Sequence, residues 1–578
     1  VAHAKAGRIG LFVCHCGLNI AGVVDIPRAV AAFQGQPGIA CATDYKYMCS
    51  EPGQALIREA IAREGLDGIV VAACTPSMHE STFRRAAGAA GLNPYRVEIA
   101  NIREQVAWVH AGAPAIATDK AIETIRSIIE KTRQDDALIP LALPLLRKAL
   151  VIGGGIAGLS AALDIADAGY PVVLIEREDH LGGRMAQLSG TYVNFESAGD
   201  LLATRIARAR AHPDITIMTE TEVESVDGSV GGFRVKLKRK AADAPLELDA
   251  GAIVVATGFG PLPLEKLPEY GGGVPPDVIS GLQFEEMLRP DGPTAGVIRR
   301  PSDGQTPRQV VFVQCAGSRD PEHGLPYCSK ICCMVTAKQA RMFTQRRPDG
   351  QAYVFYIDIR AGGKDAEEFV QEAMEKESVL YLRGKVSRVF QDGDQTIVWG
   401  VDTLTNRGVE IAADLVVLAT AAVAQPDAGE LAQRLHIAAD PYGFFSEAHP
   451  KLRPVESLTA GVFLAGAAQG PKDIPESVAQ AGAAAAKVLA LFSREAMIQD
   501  PAIAQVDEAR CSACLLCVPA CPYGARQLHP WKRVASVNAA LCQGCGACAM
   551  VCPNKATTLR NAAFEQVLAM TEVFLWTI

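Results

Sequence analysis

The sequence predicts an α/β multidomain chain: a small N-terminal α/β domain, a larger body of two dinucleotide-binding-type units, and a C-terminal module organised around cysteines. Three observations carry this. A glycine-rich turn, Val151-Ile152-Gly153-Gly154-Gly155-Ile156-Ala157-Gly158, stands between an apolar strand and a helix. The 17 cysteines fall in three groups: five before residue 75, four between Cys315 and Cys333, and eight between Cys511 and Cys552. The length of 578 residues exceeds what one core ordinarily fills.

The first domain spans residues 1–133. Short apolar runs (Ile9 to Val13, Ile69 to Ala73, Tyr95 to Ile99) alternate with helical stretches Pro52 to Glu64 and Ser81 to Ala90, the pattern of an α/β layer. Cys14 and Cys16 follow the first strand, Cys49 lies in the loop after the second apolar run, and Cys74 ends the third. All four therefore fall at the carboxyl edge of a parallel sheet, where ligands of such folds gather. On these residues alone a metal cluster and a set of simply buried thiols are both open. Cys41, inside the run GIACAT, reads as a small buried strand residue, and His15 and His79 as polar contacts.

Residues 134–148 carry two prolines and no helical period, which suits a linker. The body covers 149–496, with polar loops at 241–249 and 290–308 and a closing helix from Ala479 to Phe492. In its glycine turn the backbone approaches a pyrophosphate closely at a helix N-terminus, and Glu176, 18 residues after Gly158, stands where a ribose hydroxyl is held. FAD is favoured over NAD by Glu176-Arg177 leading to Leu181-Gly182-Gly183-Arg184, and by a strand ending in Ala256-Thr257-Gly258. This layout resembles the two-dinucleotide-binding-domain flavoproteins that include thioredoxin reductase. In those proteins a late Gly-Asp pair contacts the flavin; Gly466-Ala467 is the counterpart here, with alanine in place of the aspartate.

In the second unit the strand Val310 to Val313 runs not into a second glycine fingerprint but into Cys315-Ala316-Gly317-Ser318-Arg319, followed by Cys328-Ser329-Lys330-Ile331-Cys332-Cys333. The nicotinamide site is replaced by thiols. Four of them at strand-end and helix-start positions suit a cluster, with structural zinc or a redox-active cysteine pair as alternatives.

Residues 497–578 contain Cys511-x2-Cys514-x2-Cys517-x3-Cys521-Pro522 and Cys542-x2-Cys545-x2-Cys548-x3-Cys552-Pro553, the spacing of a bacterial-type ferredoxin with two 4Fe–4S clusters. The fourth cysteine of each run crosses over. One cluster takes Cys511, Cys514, Cys517 and Cys552, the other Cys542, Cys545, Cys548 and Cys521. A pair of zinc knuckles is the alternative.

FVCHCG (Phe12 to Gly17), YMCSEPGQ (Tyr47 to Gln54), VVAACTPSMHESTFRRA (Val70 to Ala86), NIREQVAWVH (Asn101 to His110), CSKICC and the doubled cysteine run together resemble the flavin-bearing A-subunit family of heterodisulfide reductase over essentially the whole chain. The resemblance implies four 4Fe–4S clusters: one on Cys14, Cys16, Cys49 and Cys74, one beside the FAD on Cys315, Cys328, Cys332 and Cys333, and two in the ferredoxin module. It also places Lys338 at the reactive edge of the flavin, where the bland alternative is a solvated lysine on a helix face. Its implied partners are heterodisulfide-reductase-like B and C subunits, a hydrogenase-, formate- or NADH-linked donor module, and ferredoxin, around a homodimer in a cytoplasmic complex. A ferredoxin inserted in the flavin domain of methanogen versions has no counterpart, because residues 259–314 contain no cysteine.

A formal net charge of −8 gives no nucleic-acid footprint, and no apolar run is long enough to span a membrane. The expected activity is that of an oxidoreductase subunit carrying electrons by FAD and clusters, with electron bifurcation or confurcation. The alternatives are a subunit that carries electrons without bifurcation, or an NAD(P)H-dependent flavoprotein, and the second of these requires a second glycine fingerprint.

Overall fold

Buried along its whole length, the apolar run Ile9–Cys14 forms β1 inside a four-stranded parallel sheet. A computed structural model describes residues 7–240, 245–321 and 325–575. It divides into two units, Val1–Leu143 with Ile498–Ile578, and Pro144–Met497.

In the first unit β1 lies between β2 (Ile39–Tyr45) and β3 (Gly68–Ala73), with β4 (Val97–Asn101) beyond β3. Two short helices, Leu18–Ala21 and Ile26–Ala31, connect β1 to β2, α1 (Glu51–Glu64) connects β2 to β3, α2 (Pro76–Ala89) connects β3 to β4, and α3 (Pro114–Gln134) follows β4. The second helix starts five residues before the expected Ser81. Pro76 occupies its first position, where a fixed φ favours the helix and no N–H is wanted. Along α3, Ala117, Ala121, Ile125 and Ile129 recur at every fourth position and are buried.

The second unit holds two five-stranded parallel sheets. The first is built from β5 (Ala149–Ile152), β6 (Val172–Ile175), β7 (Ile215–Met218) and β8 (Ala252–Val255), with α4 (Ile156–Asp167) between β5 and β6. The second is built from β9 (Val278–Ser280), β10 (Gln309–Ala316), β11 (Gln351–Tyr356), β12 (Leu380–Arg383) and β13 (Leu415–Thr420), with α5 (Gly281–Leu288) and α6 (Cys332–Arg346). The chain then returns to the first sheet through β14 (Val462–Leu464), so one dinucleotide-type unit is nested inside the other, with orders β14-β8-β5-β6-β7 and β9-β13-β10-β11-β12. Each has a three-stranded antiparallel flap, Thr221–Ser229 with Gly232–Arg239 and Leu246–Ala250 in the first. The stretch 241–249, expected to be a loop, is therefore strand from Leu246, with Leu248 and Ala250 turned inward; residues 241–244 lie outside the described residues. The closing helix α7 (Ile474–Phe492) begins five residues before Ala479. Asp473 caps it in a capping box with Glu476.

The first unit resumes with the hairpin-like pairs β15 (Ala504–Val506) with β18 (Thr557–Leu559), and β16 (Arg526–Leu528) with β17 (Ala535–Val537). A final helix, α8 (Phe564–Leu575), lies along α3: Ser127 Oγ donates to Met570 O at 3.0 Å, and Gln566 Nε2 to Gln134 O at 3.1 Å. Asn561 Nδ2 donates to Tyr95 O and Asp136 O, both at 3.0 Å. These contacts join the C-terminal cysteine module to the N-terminal layer.

Candidate functional site

A cavity of about 2070 Å³ opens beside the glycine turn that joins β5 to α4. Gly153 has φ +108°, and a Cβ there would stand 2.5 Å from Ala256 O. At Gly158 a Cβ would stand 1.8 Å from Gly153 O, so the helix seats directly on the turn. Gly155 and Gly183 face each other across the floor, where a Cβ on Gly183 would stand 3.2 Å from Gly155 Cα. The floor is thus a cradle that any side chain would fill.

Gly153, Gly155, Ile156, Ala157, Glu176, Arg177, Gly183, Arg184, Ala256, Thr257, Gly258 and Ala467 all line this cavity. Gly158 and Gly466 do not. They stand behind it, Gly466 so close to Ala157 that a Cβ would lie 2.7 Å from the alanine's own. Glu176 is buried at the end of β6 and accepts from Gly154 N at 2.6 Å and Glu178 N at 3.0 Å, which orients its carboxylate toward the turn. Arg177 reaches Gln425 Oε1 at 3.1 Å, and Gln425 donates to Thr257 O at 3.3 Å, tying the two nucleotide-edge segments together. The elongated, polar-edged cradle fits a dinucleotide such as FAD.

Sequence reasoning missed part of the wall. Lys472 and Asp473 precede α7 and line the cavity. Asp473 returns a carboxylate to the wall six residues after Ala467, and Tyr192 Oη donates to it at 2.6 Å. Burial, reinforced by Asp473, pushes the Tyr192 phenol well up, and burial pushes the Lys472 ammonium down. The D-I-P-E capping box was the legible signal for a helix start here.

Lys338 also lines the cavity, and it is not solvated: it is 2% exposed and Glu285 on α5 is 1% exposed. Lys338 Nζ donates to Glu285 Oε2 at 2.7 Å, Gly190 O at 2.6 Å and Ser189 Oγ at 3.5 Å. The second carboxylate oxygen takes Gln339 Nε2 at 2.9 Å. An ammonium with all three donors engaged and its charge balanced is a buried pair in the wall, unlike a free cation.

The start of α6 borders the same cavity through Cys328 and Cys332. Cys315, at φ +58° where β10 ends, interacts with it: the Cys332 side chain lowers the Cys315 and Cys333 thiols, while those two neighbours and burial raise Cys332 itself. Cys328 is separately held, its Sγ accepting from Lys330 N at 3.2 Å.

At the carboxyl edge of the N-terminal sheet, Cys14 Sγ accepts from Met48 N at 3.4 Å and Cys16 Sγ from Arg103 Nη1 at 3.2 Å. Burial pushes the Cys14 thiol up, and Cys16 and Cys49 add to it. Cys74 is raised by burial against a lowering from Arg103, and Cys16 also acts on it. Cys14, Cys16, Cys49 and Cys74 thus share one electrostatic neighbourhood. Cys41 is elsewhere, only half-buried, near Glu64 and Arg63. His15 pairs with Asp44 at 2.7 Å and His79 meets the Phe83 ring edge-on.

In the C-terminal module a small cavity is lined by Cys521, Cys542, Cys545 and Cys548, the set expected from crossover. Backbone N–H groups point at the sulfurs: Ala525 to Cys521 at 3.3 Å, Ala535 to Cys511 at 3.3 Å, Ala504 to Cys542 at 3.5 Å and Ala556 to Cys552 at 3.2 Å. Cys517 is buried beside Arg526 and Cys514 is exposed. Donors aimed at thiolate sulfur are the environment a 4Fe–4S cluster needs. Among the described residues no three His, Cys, Asp or Glu side chains converge on a point that would hold a single ion. A cubane, which gives each thiolate its own iron, needs a wider ring. Among the described residues no helix is long and apolar enough to cross a membrane.

Residues 147–285 match the pyridine nucleotide-disulphide oxidoreductase family, and residues 510–556 match the 4Fe-4S dicluster domain. An iron-sulfur A-type subunit of the CoB--CoM heterodisulfide reductase of Methanopyrus kandleri is 39% identical over 90% of this chain and 91% of its own length. The corresponding subunit of the H(2):CoB-CoM heterodisulfide,ferredoxin reductase of Methanothermobacter marburgensis is 38% identical over 90% of each. Among solved structures, the thioredoxin reductase of T. acidophilum aligns with 60% of this chain and 99% of its own at 18% identity and a TM-score of 0.41.

Proposed function

The chain belongs to the A-subunit family of heterodisulfide reductase and is an oxidoreductase subunit, and from that premise we propose that it is the electron-splitting hub of a heterodisulfide-reductase-like complex. In this reading pairs of electrons from a hydrogenase-, formate- or NADH-linked donor are divided between ferredoxin and an acceptor reached through B- and C-type subunits. The observation that carries it is the shared cavity: the glycine turn, the Lys338–Glu285 wall, and Cys328 and Cys332 border one space. The name of the Methanothermobacter marburgensis relative, which joins hydrogen, heterodisulfide and ferredoxin, supports it.

FAD supplies exchange between two-electron and one-electron chemistry when bound, and 4Fe–4S clusters supply one-electron carriage. Gly153, Gly155 and Gly183 would cradle the pyrophosphate and Glu176 the ribose. Arg177 and Arg184 would border the dinucleotide, with Asp473 on the same wall as Ala467. Lys338 and Glu285 keep a proton donor at Nζ and its acceptor at Oε2 side by side in a dry wall. Four clusters are assigned: Cys14, Cys16, Cys49 and Cys74; Cys315, Cys328, Cys332 and Cys333; and the two crossover sets of the ferredoxin module.

The test is a redox titration of the flavin in the fully loaded chain. Splitting of electron pairs requires crossed one-electron potentials, the second above the first, with each ~59 mV of crossing a decade in equilibrium constant. Well-separated potentials in the ordinary order would make the chain a plain carrier.

A further inference from the structure

Arg526 opens β16 with its side chain turned into the ferredoxin module, where it is 3% exposed. Nη2 donates to Thr557 Oγ1 at 3.1 Å and to Cys517 Sγ at 3.5 Å. Nε and Nη1 have no hydrogen-bond partner, and among the described residues no carboxylate pairs with the guanidinium. A buried cation with two idle donors and no counter-ion is costly. Something anionic must complete it.

The surroundings say what. Arg526 lines the small cavity bounded by Cys521, Cys542, Cys545 and Cys548. Its Nη2 meanwhile touches Cys517, which crossover spacing gives to the other cluster. The guanidinium therefore borders both thiol sets, one through the cavity it lines and the other through its hydrogen bond to Cys517.

We propose that Arg526 is the buried counter-cation of the module, a positioning and tuning residue. It favours the one-electron-reduced, more negative state of the clusters it borders, through its charge beside the Cys521, Cys542, Cys545 and Cys548 set and through its hydrogen bond to Cys517 of the other. Net charge and hydrogen bonds to sulfur are the levers by which a protein sets such potentials, and Arg526 applies both with no bond made or broken and no proton moved. The inference rests on the reading that the two cysteine sets of this module hold clusters.

The experiment is an EPR-monitored redox titration of the anaerobically purified full chain and of Arg526→Met, Arg526→Gln and Arg526→Lys, each with its iron content. Arg526→Met and Arg526→Gln are expected to lower one ferredoxin-type potential by a decade in the reduction equilibrium, ~59 mV for a one-electron couple. Arg526→Lys is expected to keep most of it. Unchanged potentials at full iron content, or equal shifts in the lysine and neutral variants, overturn the proposal. If the neutral variants lose about four irons while Arg526→Lys keeps them, the cation is needed to hold the anionic cluster, which supports it. Loss in the lysine variant as well overturns it. Absence of ferredoxin-type signals from the unaltered chain would instead defeat the cluster reading.

Discussion

Lys338→Met is expected to cost about 3–5 kcal/mol of stability in the Pro144–Met497 unit, because it strands a carboxylate that is 1% exposed. The lower end of that range applies, since Glu285 keeps Ser189 N at 3.0 Å, Ser189 Oγ at 2.7 Å and Gln339 Nε2 at 2.9 Å. Glu285→Gln strands the ammonium instead, leaving it Gly190 O and Ser189 Oγ. The double variant Lys338→Met/Glu285→Gln removes both charges and is expected to recover most of either loss. Denaturant unfolding of the four proteins closes this cycle. Simple additivity of the two single losses would show that the side chains do not pair as described.

Gly158→Ala is expected to empty the nucleotide cavity. The added Cβ would lie 1.8 Å from Gly153 O and 3.0 Å from Gly153 C, atoms of the turn itself, so the turn must move rather than a flexible side chain. A weakening of tenfold or more in FAD retention, at least about 1.4 kcal/mol, follows. Gly408→Ala, on an exposed strand with nothing within 4 Å, serves as the control, with an effect within about 0.5 kcal/mol. Flavin absorbance per chain after gel filtration measures both. Full flavin occupancy in Gly158→Ala would move the binding site away from this turn.

What the sequence made legible was whatever depends on short spacing. The doubled cysteine run and the glycine turn are local motifs, and the structure gathers Cys521 with Cys542, Cys545 and Cys548 as crossover requires. The N-terminal thiols needed one further step, the placement of Cys14, Cys16 and Cys74 at strand ends of a parallel sheet. Glu285 was not legible. It lies 53 residues from Lys338 and next to Glu286 on an amphipathic helix, and only the phase of α5 decides which of the two is buried. Arg526 was hidden for the same reason: an arginine beginning a three-residue strand reads as a surface charge, whereas here it is Leu528 that faces solvent. Helix starts at Pro76 and Ile474 came earlier than hydrophobic periodicity indicated, because proline and capping residues set them.

The central claim is that four cysteine sets and one nucleotide cavity are all loaded. Counting iron, labile sulfide and flavin per chain after anaerobic purification tests it most directly. The expected result is roughly 16 irons, as many sulfides, and one FAD. A value of about eight irons at full occupancy would confine clusters to the ferredoxin module and contradict the assignments at Cys14, Cys16, Cys49 and Cys74 and at Cys315, Cys328, Cys332 and Cys333.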